Sequence, residues 1–251
     1  MTSADPNEWI RPGERLDDLQ RGTLRILQRP DGFCFGMDSV LLAAFASARC
    51  DRGMAVDLGT GSGVLPLLLC ARRPLLRFDA VELQPDIADM ASRSMRINGM
   101  EDRVRIHAMD LREAPGQLGH ERYRLAVCNP PYGAGGCGPE NPDAARRAAR
   151  HEMTAAIGDI CAAAGALLQN GGRFAVVFPA PRLLALMDAM RSARLEPKYV
   201  QMIHPAWDKP PNLVLVEAMK AAKPMLHFLP PVYVRDADGH ETEMLRRIYE
   251  T

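Results

Sequence analysis

Cysteine pairs and metal-ligand spacings are missing from this chain. Its six cysteines, Cys34, Cys50, Cys70, Cys128, Cys137 and Cys161, form no C-x-x-C pair, and no group of histidines and cysteines has zinc spacing. Isolated cysteines of this kind are expected to be small buried hydrophobes in a reducing compartment, and no metal is expected. Long apolar runs are missing too. No stretch approaches the length of a membrane span, and the opening "MTSADPNEWIRPGERLDDLQRG" has no apolar core of a signal peptide. A soluble, cytoplasmic protein with no membrane partner is therefore expected. Net charge is the third absence: 31 basic side chains balance 31 acidic ones. No overall field draws the chain to nucleic acid, so any RNA site must be a local patch. Internal repeats, low-complexity segments and clear linkers are also lacking.

What is present is a rhythm. The chain is 47% hydrophobic over 251 residues, enough for one large core. Residues 1–22 read as a polar, loose extension, and residues 23–251 as a single domain. "TLRILQ" is a short strand, followed by a turn at Pro30-Asp31-Gly32 and an apolar helix. From Ala55 onward strands and helices alternate. "MAVDLGTGSG" is a buried strand with a glycine loop, "VLPLLLCARR" a helix and "LRFDAVELQ" a strand. "PDIADMASRSMRING" is a helix started by proline and stopped by Asn98-Gly99. "VRIHAMD" and "YRLAVCN" are strands, and "AAIGDICAAAGALLQNGG" is a helix closed by glycines. "RFAVVFP", a helix over "APRLLALMDAMRSARL", "KYVQMIHP" and "NLVLVEAMK" complete the pattern. Alternation of this kind predicts a parallel α/β sheet covered on both faces. The last two strands have no helix between them, so they are expected to pair antiparallel at one edge.

Three strand ends carry polar groups. Asp57-Leu58-Gly59-Thr60-Gly61-Ser62-Gly63 joins the first strand of the rhythm to its helix, where glycines allow a sharp turn and close approach to a ligand. The spacing is G-x-G-x-G, not the G-x-G-x-x-G of dinucleotide sites, and no G-K-[ST] follows as in a P-loop. Glu82 ends the next strand, placed to accept hydrogen bonds from ribose hydroxyls, and Asp110 ends the third, placed to meet a base edge. The set suits a nucleoside without a pyrophosphate. A fourth strand, "LAVCN", runs into Pro130-Pro131-Tyr132. The prolines cannot continue a sheet ladder, and the residue before a proline is held extended, which orients Asn129. A rigid loop or a polyproline ligand is the alternative reading of the same residues.

In order, "VDLGTGSG", "VELQ", "MDLREA" and "CNPPY" resemble the cofactor and catalytic motifs of class I S-adenosylmethionine-dependent methyltransferases. The Asn-Pro-Pro-Tyr form is similar to that of amino-methyltransferases acting on adenine-N6, guanine-N2 or glutamine amides. "QRPDGFCFGMDSVLLAAFA" and the stretch from "ARHEMTAAIG" to "VQMIHP" resemble the bacterial tRNA adenine-N6 methyltransferases that modify valine tRNA beside its anticodon. The likeness covers most of residues 22–220. It implies a Rossmann-like seven-stranded class I methyltransferase sheet, mostly parallel with an antiparallel edge strand.

It also implies a site. S-adenosyl-L-methionine would be bound by Asp57, Gly59, Thr60, Gly61, Gly63, Glu82, Leu83, Asp110, Leu111 and Asn129. Phe35 and Asp38 would line its methionine end, or be a core residue and a turn residue. Asn129, Pro130, Pro131 and Tyr132 would be catalytic. The Asn129 side-chain oxygen and the Pro130 carbonyl would hold the two hydrogens of an exocyclic amine, and the Tyr132 ring would stack on the base. Arg146, Arg147 and Arg150 would meet tRNA phosphates, or form a solvated helix face; Arg21, Arg25 and Arg29 are a weaker version of the same idea. Three other functions stay open: guanine-N2 methylation of rRNA, protein glutamine methylation, and a non-catalytic RNA-binding protein on the same fold. Glutamine enzymes usually carry a helical domain before the glycine loop, and here only about 55 residues precede it.

Overall fold

Apolar residues that alternate along each strand sort into two separate cores, one on each face of a central sheet. The computed structural model describes residues 6–19, 24–30, 36–130 and 156–250. A hairpin of β1 (Arg15–Asp18) and β2 (Arg25–Gln28) comes first. Then follow α1 (Met37–Ser47), β3 (Arg52–Leu58), α2 (Val64–Arg72), β4 (Leu75–Glu82), α3 (Pro85–Ile97), β5 (Val104–Ala108), α4 (Ala114–Leu118) and β6 (Tyr123–Cys128). Helical residues 156–167 form α5. The chain continues through β7 (Leu168–Pro179), α6 (Leu183–Ser192), β8 (Leu195–His204), β9 (Leu213–Lys220), β10 (His227–Phe228), β11 (Val232–Tyr233) and α7 (Glu243–Glu250).

The long strands lie in the order β8-β9-β7-β6-β3-β4-β5, and β10 and β11 each add two residues along β8. From β7 to β5 every pair is parallel. Ala55, Leu125, Val127, Ala175 and Val177 face one core with α1, α2 and Leu245 of α7. Val56, Leu58, Ala126, Cys128, Phe174 and Val176 face the other, with α4, α5 and α6. Strands buried on both faces leave no polar side, which is why they read as continuous apolar runs. The four described cysteines, Cys50, Cys70, Cys128 and Cys161, are buried and unpaired, as expected.

β8 and β9 pair antiparallel at one edge, as expected, and β9 is antiparallel to β7 as well, so it sits one place in from the edge. The structure corrects the sequence in other places. The "QNGG" glycines do not close a helix: α5 ends at residue 167, and Gln169–Gly172 belong to the start of β7. Nor are residues 14–18 loose. Glu14 makes a two-pronged ion pair with Arg93 of α3 at 2.7 Å, with side chains only 2% and 7% exposed. Residues 227–250 dock β10 and β11 on β8 and bury Leu245 against the core.

One polar network crosses the sheet. Tyr123, 1% exposed at the start of β6, donates its hydroxyl to Asp79 at 2.7 Å, and the other Asp79 oxygen meets His107 Nε2 at 2.7 Å. Burial would raise the Asp79 carboxyl, but the His107 and Tyr123 hydrogen bonds outweigh it and hold it below the ordinary carboxylate range. Tyr123→Phe should therefore lower stability by about 2 kcal/mol, the worth of a buried hydrogen bond to a charged group. Urea denaturation at pH 7 checks this; an unchanged midpoint would mean the hydroxyl contributes nothing.

Candidate active site

β3 ends at Leu58, and the chain turns through Gly59, Gly61 and Gly63, all at positive φ. At Gly63, φ is +88°, a conformation L side chains rarely adopt, and a Cβ there would also lie 2.5 Å from Met95 Cε, so the methionine tip would have to move. Gly61 N–H donates to Glu82 Oε2 at 2.9 Å, while Glu82 Oε1 accepts the Gln84 N–H at 3.0 Å. Glu82 thus holds the loop in shape as well as facing the cavity, a duty its position in the sequence did not show. A carboxylate has about four lone-pair sites, so acceptor capacity remains for a ligand.

Beneath the loop Asp57 is fully buried, and neither of its oxygens nor the Thr60 hydroxyl meets a hydrogen-bond partner among the described residues. Burial pushes its carboxyl up to about 7, with Thr60 working the other way and the Glu82 charge adding to the rise. Orphaned polar atoms under a glycine loop are what a loop built for a polar ligand would leave.

Above the loop lies a cavity of about 510 Å³, in the size range of small-molecule sites. Gly59, Thr60, Gly61, Glu82, Leu83, Asp110, Leu111 and Asn129 all line it. Leu83 is 65% exposed, an apolar side chain left beside the carboxylate that would meet a ribose, well placed to lie against a base. Asp110 is already gripped by Arg112 through Nε at 3.0 Å to each oxygen and through the main-chain N–H at 2.9 Å, which holds its carboxyl below the usual range. Sequence reasoning missed Ser39 in the lining, and also Ile87, Met90 and Met109, apolar residues with no chemistry to mark them. Arg29, expected if anything to meet RNA, lines this cavity and pairs with Asp86 at 2.7 Å.

At the end of β6, Asn129 Nδ2 donates to Asp38 Oδ2 at 3.1 Å and to Ser39 Oγ at 3.0 Å. Asp38 Oδ1 accepts the Ser39 N–H at 2.8 Å, so its carboxylate is itself fixed at the start of α1. A carboxylate can only accept, which obliges the Asn129 amino group to face it and turns the amide oxygen the other way. Asp38 thus acts on Asn129 and is not among the residues that line the cavity. Pro130 follows, buried. Phe35, Pro131, Tyr132, Arg146, Arg147, Arg150 and Arg21 lie outside the described residues. Arg25 binds Asn98 through its main chain, away from the cavity lining.

The strands bearing these groups are neighbours, in the order β6-β3-β4-β5, so Asn129, the loop, Glu82 and Asp110 share one rim of the sheet. Ligands of open α/β sheets bind at that rim. Among the described residues no helix is long and apolar enough to cross a membrane.

The family model of the methyltransferase small domain matches residues 36–192. A tRNA1(Val) (adenine(37)-N6)-methyltransferase of Parabacteroides distasonis is 33% identical over 193 residues, covering 75% of this chain and 78% of its own. One of Porphyromonas gingivalis is 30% identical over 187 residues, covering 72% of each. Among solved structures, a predicted O-methyltransferase of Agrobacterium tumefaciens superposes with a TM-score of 0.69 at 22% identity, over 84% of this chain and 95% of its own; that likeness is one of fold. The chain belongs to the methyltransferase small-domain family, and within it to that of the tRNA1(Val) (adenine(37)-N6)-methyltransferases, and so is an enzyme whose methyl donor is S-adenosylmethionine.

Proposed function

We propose that the protein methylates the exocyclic N6 amine of an adenine beside the anticodon of a tRNA, in the cytoplasm. The observation that carries this reading is the Asn129 amide, oriented by Asp38 and Ser39 on the edge of the cofactor cavity. The names of the relatives favour adenine in tRNA over guanine or glutamine.

The exocyclic amine of adenine is a poor nucleophile because its lone pair is delocalised into the ring. The cofactor supplies a methyl group already activated on a sulfonium. The chain's part is to hold the amine. Asn129 Oδ1 accepts one N–H and the Pro130 carbonyl the other, so the lone pair turns toward the methyl carbon. Tyr132 gives the base a face to stack on, worth roughly 1–3 kcal/mol. The glycine loop, Glu82 and Asp110 would hold S-adenosylmethionine, which supplies the methyl as its C–S bond breaks, and the amine held by Asn129 and Pro130 would pass its extra proton to solvent afterwards. Positioning supplies most of the rate, and no strong base is needed. A base in an anticodon loop is unpaired or readily splayed, so presenting it costs less than extruding it from a duplex.

The test is methylation of bulk tRNA with labelled S-adenosylmethionine, followed by nucleoside analysis. N6-methyladenosine is the expected product; label in guanosine, or in protein alone, would overturn the assignment. Calorimetry separately checks the cofactor site: S-adenosylmethionine should bind and NAD should not. Glu82→Ala removes both the ribose acceptor and the loop clamp, and should weaken cofactor binding by roughly 1.5–3 kcal/mol. Unchanged affinity would remove Glu82 from the site.

A further inference from the structure

At the opposite end of the sheet from the cofactor cavity lies a second, smaller pocket of about 80 Å³. Its lining includes Arg49, Asp51, Arg124, Gly171, Gly172 and Arg173. Arg124 is five residues before Asn129 on β6, about 17 Å at the usual rise of a strand.

The pocket is built by a slip in register. Tyr123 pairs with Leu168, but Leu125 pairs with Arg173, so β7 runs Gln169–Gly172 past the single residue Arg124. Such bulges re-aim side chains, and this one depends on glycine. Gly171 has φ +76°, and a Cβ on Gly172 would lie 2.8 Å from the Gln169 carbonyl oxygen and 3.0 Å from that of Tyr123. The stem of Arg124 lies across Gly53, where a Cβ would come within 2.7 Å of Arg124 Cδ.

The charges do not cancel. Glu217 is fully buried; its Oε1 accepts from Arg49 Nε at 3.0 Å and from Arg173, while Oε2 meets no partner among the described residues. Arg49 is further fixed between the Phe45 and Tyr199 rings, at 4.6 and 4.5 Å from their centroids. Asp51 is held by Arg52 at 3.0 Å. Arg124 makes no ion pair among the described residues; the Asp51 carboxylate that feels its charge is the one Arg52 already holds. Counting Arg52, four guanidiniums thus meet two carboxylates, Asp51 in the lining and the buried Glu217 that Arg49 and Arg173 share, and a guanidinium offers five N–H donors, more than these bonds use.

We propose that this pocket is a binding site for a tetrahedral oxyanion of the phosphate class, held by Arg124 with remaining N–H groups of Arg49 and Arg173. The space equals that of two or three waters at about 30 Å³ each, enough for such an anion and too little for a nucleoside. Planar, forked guanidiniums are the side chains that match phosphate geometry. The anion is either free phosphate or a backbone phosphate of RNA reaching down the side of the sheet. The inference does not rest on which amine the enzyme methylates.

Inorganic phosphate titrated into the full chain at constant ionic strength should bind, and Arg124→Gln should weaken it about tenfold or more, as expected for losing a charge-assisted contact. Arg122→Gln, an exposed arginine outside the pocket, should leave it unchanged. Affinity for bulk tRNA is then measured across chloride concentrations. A slope of log K against log salt flattened by about 1 in Arg124→Gln identifies an RNA phosphate as an occupant. An unaltered slope together with lost phosphate binding identifies the free anion. Phosphate bound equally by wild type and Arg124→Gln, an adventitious ion only, overturns the site, as does no phosphate binding with an unaltered slope.

Discussion

Asn129→Ala is expected to lower the rate of methyl transfer by roughly 10²–10³, the loss typical of one transition-state acceptor or donor, while cofactor affinity stays close to wild type. On the proposed function the amide oxygen would hold an amine whose geometry matters most as the new bond forms, and such interactions appear in kcat rather than in binding. The cofactor's own contacts are proposed to come from other strand ends, since the glycine loop, Glu82 and Asp110 line the cavity. Asp38→Asn tests the same idea one step back. It keeps the size of the side chain but no longer obliges the Asn129 amino group to face it, so the rate should fall by less, about tenfold, through a looser amide. Single-turnover methylation of tRNA beside cofactor titration reads both variants. Near wild-type transfer by Asn129→Ala would mean that the Asn-Pro-Pro corner serves structure alone.

The second large effect is one of stability and pH. Asp57 is fully buried and its carboxyl is pushed up to about 7 from an ordinary 3.8. A raised acid favours the protonated form in the folded state, so its stabilising share is complete below pH 3.8 and is lost as pH rises through 7. Three units correspond to on the order of 4 kcal/mol. Asp57→Asn carries no proton to lose. It should flatten the decline in stability of the cofactor-free enzyme between about pH 4 and 7, and above that range it should be more stable than wild type by up to on the order of 4 kcal/mol. Urea titrations at pH 5 and pH 8 for both proteins check the sign. Parallel pH profiles would show that Asp57 stays ionised in the fold. Cofactor affinity of the variant should fall, which would place the stability sacrificed at Asp57 in the service of the ligand.

Much of this was legible because parallel strands advertise themselves. β3, β4 and β6 are apolar runs, and Asp57, Glu82 and Asn129 each break the pattern at or near a strand end. The position of β9 was not legible, since hydrophobicity tells that a strand is buried but not between which neighbours. Gly171-Gly172 was misread because a glycine pair after a helix is the usual stop signal, and only the register with β6 reveals a bulge. Glu14 looked like one more charge in a polar start; its partner Arg93 lies 79 residues away. In the site, Asp38 and Asn129 were each singled out, but their contact spans 91 positions and no local spacing encodes it. The C-terminal strands have two residues each, below any periodic signal, whereas Leu245, Ile248 and Tyr249 of α7 do follow helical spacing and could have been noticed.

Those two-residue strands have a consequence for solubility. β8 is ten residues long and would otherwise offer its outer row of N–H and C=O groups to any passing strand, the usual start of edge-to-edge aggregation. Instead β10 takes Tyr199 and Val200, and β11 takes Ile203 and His204. Pro230 and Pro231 fall between them, where a residue without an N–H cannot extend the ladder. The opposite border, β5, is only five residues long and carries Arg105 and His107. Among the described residues, one edge of the sheet is thus capped by its own tail and the other kept short and charged, two devices that blunt edge-to-edge pairing.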